Sequence, residues 1–293
     1  MNTINYLLLL GIGIIWGSQF FFVDLVIGSI TPVTLAAYKA ILGTVTLAIL
    51  HLFNGKKEKR SAGRLGRKVW SLFIWIALLE AVIPFILIGW GQQYINSSTA
   101  SILLGTVPIF TLIFMKIAAP REKLSPWKRV SIFIGFGGLC LLFGPTLSSL
   151  SFSGNVMGYL ALVGASMSFA LSLILLKHLP PISSILAIRN VLFVASVLLL
   201  PLAILFENPF HISLSWQQVI DVVILGVVQA GIVYMLYNTL IRRTNAAFAS
   251  LTNYLVPLFG ILLGTLILGD QVTWNSIAAL IVILISLAVG EKS

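Results

Sequence analysis

Glu80 and Lys39 are the residues in this sequence best placed to do chemistry, because each is an ionisable group inside an otherwise apolar stretch. Glu80 stands in LFIWIALLEAVIPFILIGW, roughly eleven residues beyond a basic segment, which is a depth of about 16 Å along a helix. A carboxyl that deep in a bilayer requires a partner, a water-filled cavity or a proton. Glu80 is therefore the candidate proton carrier. Lys39 lies within roughly 10 Å of the opposite face, and its flexible side chain can reach inward to the same layer. Two readings stand side by side. Either Glu80 and Lys39 form a buried pair, or Lys39 snorkels to the interface or meets Asp24 there while Glu80 is protonated and hydrogen-bonded.

Other polar residues extend the set. Trp16 falls near the middle of its stretch, away from the interfacial belt where Trp usually sits, and Gln19 lies one turn on along the same face. The pair could wall a cavity or simply supply packing bulk. Ser101, Gly105, Pro108 and Thr111 make one polar stripe at helical spacing; Ser250, Asn253, Tyr254, Pro257 and Gly264 make a second. A mid-helix proline frees a carbonyl, which is tolerable where it faces protein or water rather than lipid. Both stripes are expected to line a pathway, with helix packing through small residues as the alternative. Gln229 is a further polar group at depth. Arg189 reads as structural, its guanidinium within reach of water or headgroups.

Several apparent motifs fail. Gly11-Ile12-Gly13 and Gly135-Phe136-Gly137-Gly138 lack the third glycine of a phosphate loop and follow no strand. His51, His178 and His211 are scattered and Cys140 is alone, so no metal centre or disulfide is expected. Asn96-Ser97-Ser98 fits a glycosylation sequon, a common pattern. There is no Walker sequence, and no cofactor is expected.

These residues are carried by a chain of 293 residues that is 59% hydrophobic and 9% charged, against about 25% charged in an ordinary soluble domain. That composition excludes a water-soluble fold. Apolar stretches near 5–27, 32–53, 69–90, 97–117, 127–145, 156–176, 184–205, 217–239, 247–268 and 272–290 give an all-α polytopic membrane protein of ten spans. The excess of 18 Lys+Arg over 8 Asp+Glu is mostly an orientation signal. Lys56, Lys57, Lys59, Arg60, Arg64, Arg67 and Lys68 share one connection, and Arg121, Lys123, Lys128 and Arg129 another. Lys177, Arg242, Arg243 and Lys292 fall on the same side, while the alternate connections 28–31, 91–96, 146–155, 206–216 and 269–271 hold no Lys or Arg. Both termini are thus expected to be cytoplasmic, with attraction to membrane lipid and none to nucleic acid. Trp90, Tyr94, Trp127, Trp216 and Trp274 read as interface anchors.

The chain also matches itself at an offset near 150 residues. Ala100-Ser101, Val107-Pro108 and Glu80-Ala81 fall on Ala249-Ser250, Val256-Pro257 and Gln229-Ala230 at 149; Lys39 falls on Arg189 at 150; Glu122-x-Leu124-Ser125 falls on Asp270-x-Val272-Thr273 at 148. Two halves, 1–146 and 147–293, are expected, each of five helices. An odd number makes the second copy enter the membrane inverted, an architecture that lets a central site open to either side in turn.

Trp16-Gly17-Ser18, the basic residues Lys39 and Arg189, Pro108 and Pro257, and the acidic turns at Glu122 and Asp270 together resemble the EamA-type members of the drug/metabolite transporter superfamily. The likeness covers essentially the whole chain. It implies two five-helix repeats, a central cavity and export of small organic metabolites such as amino acids. Two departures bear on cavity chemistry: Lys39 stands where Arg is frequent, and Phe169-Ala170 where Trp-Ala is usual.

The expected function is secondary, alternating-access transport of a small molecule in a bacterial inner or plasma membrane, with proton coupling through Glu80. Facilitated uniport or exchange is the alternative. An intramembrane lipid-modifying enzyme would want catalytic groups clustered near one interface, which the scatter of His and acidic residues disfavours. A homodimer is left open. The expected site is Trp16, Gln19, Lys39, Glu80, Ser101, Pro108, Gln229, Asn253, Tyr254 and Pro257.

Overall fold

The computed structural model describes residues 3–54, 66–118, 125–148, 154–180, 182–244, 248, 249 and 251–290. Lys56, Lys57, Lys59, Arg60, Arg64, Arg121, Glu122, Lys123, Ser250 and Lys292, all used in the reading above, lie outside them. Among the described residues the regular elements are helices, with no strand. They are α1 (Thr3–Ile27), α2 (Pro32–Asn54), α3 (Arg67–Gly91), α4 (Ser97–Ala118), α5 (Pro126–Ser148), α6 (Gly154–Leu176), α7 (Ser184–Phe206), α8 (Trp216–Ile241), α9 (Thr252–Leu268) and α10 (Trp274–Gly290). Seven of these (α1–α4 and α6–α8) are long and apolar enough to cross a membrane, and α9 and α10 are shorter apolar helices. Helices are what the composition demands, since hydrocarbon offers no partner for an unbonded backbone N–H or C=O.

Local chemistry sets the helix ends. Asn96 caps α4 by accepting from Thr99 N–H at 2.9 Å, and Ser183 caps α7 by accepting from Leu186 N–H at 3.2 Å. Ser215 and Gln218 form a reciprocal capping box on α8. The Asn96 carboxamide of the apparent sequon thus serves as a cap. Gly269, with φ of 73°, ends α9 in the left-handed conformation that glycine adopts without strain.

Four rods depart from regular α geometry. α3 widens into a π turn at Leu78–Val82, α8 does so over Ile224–Ile232, and α9 ends in one at Gly264–Leu268. α4 breaks at Gly105 and Thr106, just before Pro108, where the backbone tightens: Thr106 N–H reaches Leu103 O at 3.1 Å. Serines of α6 take up carbonyls at these irregularities. Ser168 donates to Leu79 O at 2.8 Å inside the π turn of α3, and Ser166 donates to Leu103 O at 2.9 Å beside the break in α4. Carbonyls loosened from a helix ladder are thereby kept bonded away from lipid.

Packing pairs α2 with α7, α4 with α9 and α5 with α10, while α6 covers α3 and α4. α1 crosses α9 closely because Gly13 and Gly17 present no side chain: a Cβ at Gly17 would lie 2.7 Å from Phe259 Cβ and 2.8 Å from the Val256 carbonyl oxygen. Hydrogen bonds define the two ends of the bundle. At one end Glu207, after α7, meets the start of α2, and Asp270, after α9, meets the start of α4. At the other, Arg243 Nε donates to Asn5 Oδ1 at 3.3 Å, and the described cations Arg67, Lys68, Lys128, Arg129 and Lys177 flank helix ends of the same direction. We call these the acidic and basic ends.

Candidate functional site

The π turn of α3 places Glu80 in the interior, 7% exposed. Its Oε1 accepts from the Tyr234 hydroxyl of α8 at 3.1 Å and its Oε2 accepts from the Ser172 hydroxyl of α6. A carboxyl contributed by the first half of the chain is thus gripped by two hydroxyls of the second. These bonds offset part of the cost of burying it.

Lys39 is 4% exposed and finds other company. Its Nζ donates to Gln19 Oε1 at 3.2 Å and lies 4.2 Å from the centre of the Phe85 ring, a cation–π distance. The anticipated Glu80–Lys39 pair is therefore not formed, and Asp24 does not take the ammonium either among the described residues. The reason is positional: Gln19 of α1 stands at the ammonium, while the Glu80 carboxyl is turned to Tyr234 of α8 and Ser172 of α6.

Both groups nevertheless face one central cavity of about 460 Å³. Of the residues expected from sequence, Trp16, Gln19, Lys39, Glu80, Gln229 and Asn253 line it. Phe169, the departure noted from the family pattern, joins them, as do Phe85, Tyr234 and Tyr237, which were not expected. Trp16 packs edge-on against Tyr234 at 5.8 Å and tilted against Tyr237 at 5.0 Å, so the aromatic wall is shared by α1 and α8. Gln229, the counterpart of Glu80 by sequence offset, also sits in a π segment. Its Nε2 donates to Ser18 Oγ at 3.1 Å, and its Oε1 has no partner. The cavity runs toward the basic end through Leu176, Leu179, Pro180, Ile182 and Ser184.

The remaining expected residues sit elsewhere. Pro108 and Tyr254, with Asn253, line a smaller cavity of about 260 Å³ that shares Val107, Leu173 and Asn253 with the central one. Ser101 is fully buried, donates to Ser98 O at 2.7 Å and approaches Pro257 O at 3.5 Å. Ser101 and Pro257 therefore pack where α4 crosses α9 and do not wall the cavity. Arg189 donates twice to its neighbour Asn190 Oδ1, at 3.2 and 2.8 Å, in a structural contact.

The acidic end is closed by two carboxylates. Glu207 accepts from Val33 N–H at 3.2 Å, Thr34 N–H at 2.7 Å and Thr34 Oγ1 at 2.9 Å. Asp270 Oδ2 accepts from Ser97 Oγ at 3.1 Å, Ser98 N–H at 2.9 Å and Ser98 Oγ at 2.7 Å. Each supplies an anion to a helix N-terminus, where the backbone N–H groups are unsatisfied and the helix dipole favours negative charge. Both clasps join one half to the other. Tyr38 OH donating to Pro209 O at 3.0 Å, and Gln218 Nε2 donating to Ser29 Oγ at 2.7 Å, add to the seal.

No group of three or more His, Cys, Asp or Glu that could hold a metal ion occurs among the described residues. A family model described as the EamA-like transporter family matches residues 3–144 and again 156–289. The chain is 23% identical over 281 residues to the uncharacterized transporter YoaV of Bacillus subtilis, covering 94% of this chain and 92% of that one. It is 24% identical over 281 residues to the uncharacterized inner membrane transporter YedA of Escherichia coli, covering 95% and 88%. A solved crystal structure superposes at a TM-score of 0.68 with 17% identity, over 99% of this chain and 96% of that one.

Proposed function

Because the chain belongs to the EamA-like transporter family and is an integral membrane transporter, we propose that it is a secondary transporter exporting a small organic metabolite, such as an amino acid, by alternating access. The observation that carries this reading is the central cavity, open toward the basic end and sealed at the acidic end by the Glu207 and Asp270 clasps. In this reading the ten helices are all spans, 1–146 and 147–293 are inverted repeats, and the basic end with both termini is cytoplasmic. The protein then rests facing inward in a bacterial inner membrane, and release to the outside requires the clasped end to part.

Glu80 is the proposed coupling group. It joins the halves through Ser172 and Tyr234, so a proton on its carboxyl changes a contact that spans them. Facilitated exchange without a proton is the second reading, favoured by the two hydroxyls that already satisfy Glu80. Counterflow of a labelled metabolite panel into proteoliposomes tests both. Saturable exchange supports transport, and absence of exchange for every amino acid, nucleobase and related metabolite removes it. If Glu80→Gln exchanges and still accumulates substrate against a gradient across a range of pH, Glu80 is no proton carrier.

A further inference from the structure

Two polar groups on the cavity wall have incomplete hydrogen bonding, and the bonds they do make fix what they can offer. Ser18 Oγ donates to the Ile15 carbonyl at 2.9 Å. Toward Gln229 it can therefore only accept, and Gln229 Nε2 donates to it at 3.1 Å. That orients the carboxamide. Its Oε1 is left as an acceptor, shielded from water and without a partner, on a residue only 3% exposed. A buried acceptor in that condition is costly until a donor arrives.

Gln19, the next residue along α1, has its Oε1 turned to the Lys39 ammonium. An ammonium carries three N–H donors. One goes to Gln19, the Phe85 ring faces Nζ at 4.2 Å, and at least one remains for the cavity. Since Ser18 and Gln19 are consecutive, the cation and the unpartnered acceptor flank one turn of α1. Glu80 stands outside this arrangement, with an oxygen on Tyr234 and an oxygen on Ser172. Lys39 therefore makes no ion pair with the protein among the described residues, and Gln229 Oε1 calls for a donor.

The geometry points to a substrate class for this cavity: a small carboxylate bearing a hydroxyl on the adjacent carbon, with the carboxylate on Lys39 and the hydroxyl donating to Gln229 Oε1. This rests on the transporter reading and narrows it. A hydroxy acid brings one negative charge for one positive charge and one neutral donor for one neutral acceptor. An amino acid would instead set a second ammonium beside that of Lys39, a like-charge contact that a neutral hydroxyl avoids. Trp16, Phe85 and Tyr237 offer faces for an aromatic or branched side chain.

The test is counterflow of labelled 3-phenyllactate in proteoliposomes of the full chain, with three unlabelled competitors: phenylalanine, 3-phenylpropionate and the amide of phenyllactate. In the wild type, 3-phenyllactate saturates, and each competitor, lacking one element, is about tenfold weaker or worse. Lys39→Gln removes the preference for carboxylate over amide. Gln229→Leu removes the preference for phenyllactate over phenylpropionate; Gln229→Met replaces it if the leucine variant does not fold. Equal competition by phenyllactate and phenylpropionate in the wild type overturns the proposal, as does an unchanged preference in the Gln229 variants. If phenylalanine or another metabolite exchanges and phenyllactate does not, the substrate class is wrong while the transporter reading stands. If nothing exchanges, it is the transporter reading that fails.

Discussion

Asp270 holds Ser98 twice with one carboxylate oxygen, accepting from its backbone N–H at 2.9 Å and from its hydroxyl at 2.7 Å. The connection after α9 thereby finishes the N-terminus of α4, a helix about 170 residues earlier in the chain. Hydrogen bonds to a charged group contribute about 1.5–3 kcal/mol each when buried and less near solvent. Asp270→Ala is expected to lower stability by about 1–3 kcal/mol, as is Glu207→Ala at the start of α2. The two should add, because they share no partner. Thermal unfolding of the purified variants checks this; a double variant as stable as the wild type would contradict it.

If the cavity opens by alternating access as proposed, the same clasps are expected to bias the side to which it opens. Ala187, on the cavity wall, is a suitable cysteine reporter once the exposed Cys140 is changed to serine. An impermeant maleimide should label Ala187→Cys only from the side of the basic end in the otherwise unaltered protein. Adding Glu207→Gln and Asp270→Asn should open labelling from the other side, by about tenfold for each 1.4 kcal/mol of closed-state preference lost. Labelling that stays one-sided would mean that other contacts keep the acidic end shut.

Tyr234 does two things that substitution can separate. Its hydroxyl bonds Glu80 at 3.1 Å and its ring packs on Trp16 at 5.8 Å. Tyr234→Phe keeps the ring, so KM for substrate should change less than about threefold while maximal transport falls. Tyr234→Leu loses both and should raise KM as well. Kinetics of counterflow distinguish the two; a large KM effect in Tyr234→Phe alone would place the hydroxyl on the substrate.

Gly17 and Gly11 lie six residues apart on α1, about 1.7 turns, and should behave in opposite ways. A Cβ at Gly17 would press on Phe259 and on the Val256 backbone oxygen, which cannot move aside by a rotamer change, whereas a Cβ at Gly11 meets nothing within 4 Å. Gly17→Ala is expected to cost about 1–3 kcal/mol. Gly11→Ala should be neutral or gain about 0.5–1 kcal/mol from helix propensity. Yield and melting temperature of the two variants give the comparison.

The cavity was legible in the sequence where polarity contradicted its surroundings. Lys39, Glu80, Gln19, Gln229 and Asn253 are polar residues in apolar stretches, which is costly unless something is there to meet them, and each of them lines the cavity. Their pairing was not legible. Whether Lys39 meets Glu80 or Gln19 depends on helix rotations that a 3.6-residue period leaves open. Ser172 and Tyr234 escaped notice for another reason. Hydroxyls in apolar helices usually bond a carbonyl of their own helix, as Thr44 does with Ala40 O at 2.8 Å, so nothing local marks the few that turn to another helix. Ser101 and Pro257 show the converse: a stripe of small and polar residues reads alike whether it lines a pathway or admits a neighbouring backbone. The partners of Glu207 and Asp270 lie more than 170 residues away along the chain, beyond what any local pattern can hold.

A π turn is an α-helix with one residue too many, and α3 and α8 each carry one beneath the polar residue that faces the cavity. Each additional residue turns a helix by about 100° and lengthens it by about 1.5 Å. Deleting Leu78 would therefore straighten α3 into a regular helix, yet it would also swing the whole stretch before it around the rod relative to Glu80. Side chains at the cavity can be exchanged without touching that geometry, but a residue cannot be removed there without re-aiming half a helix.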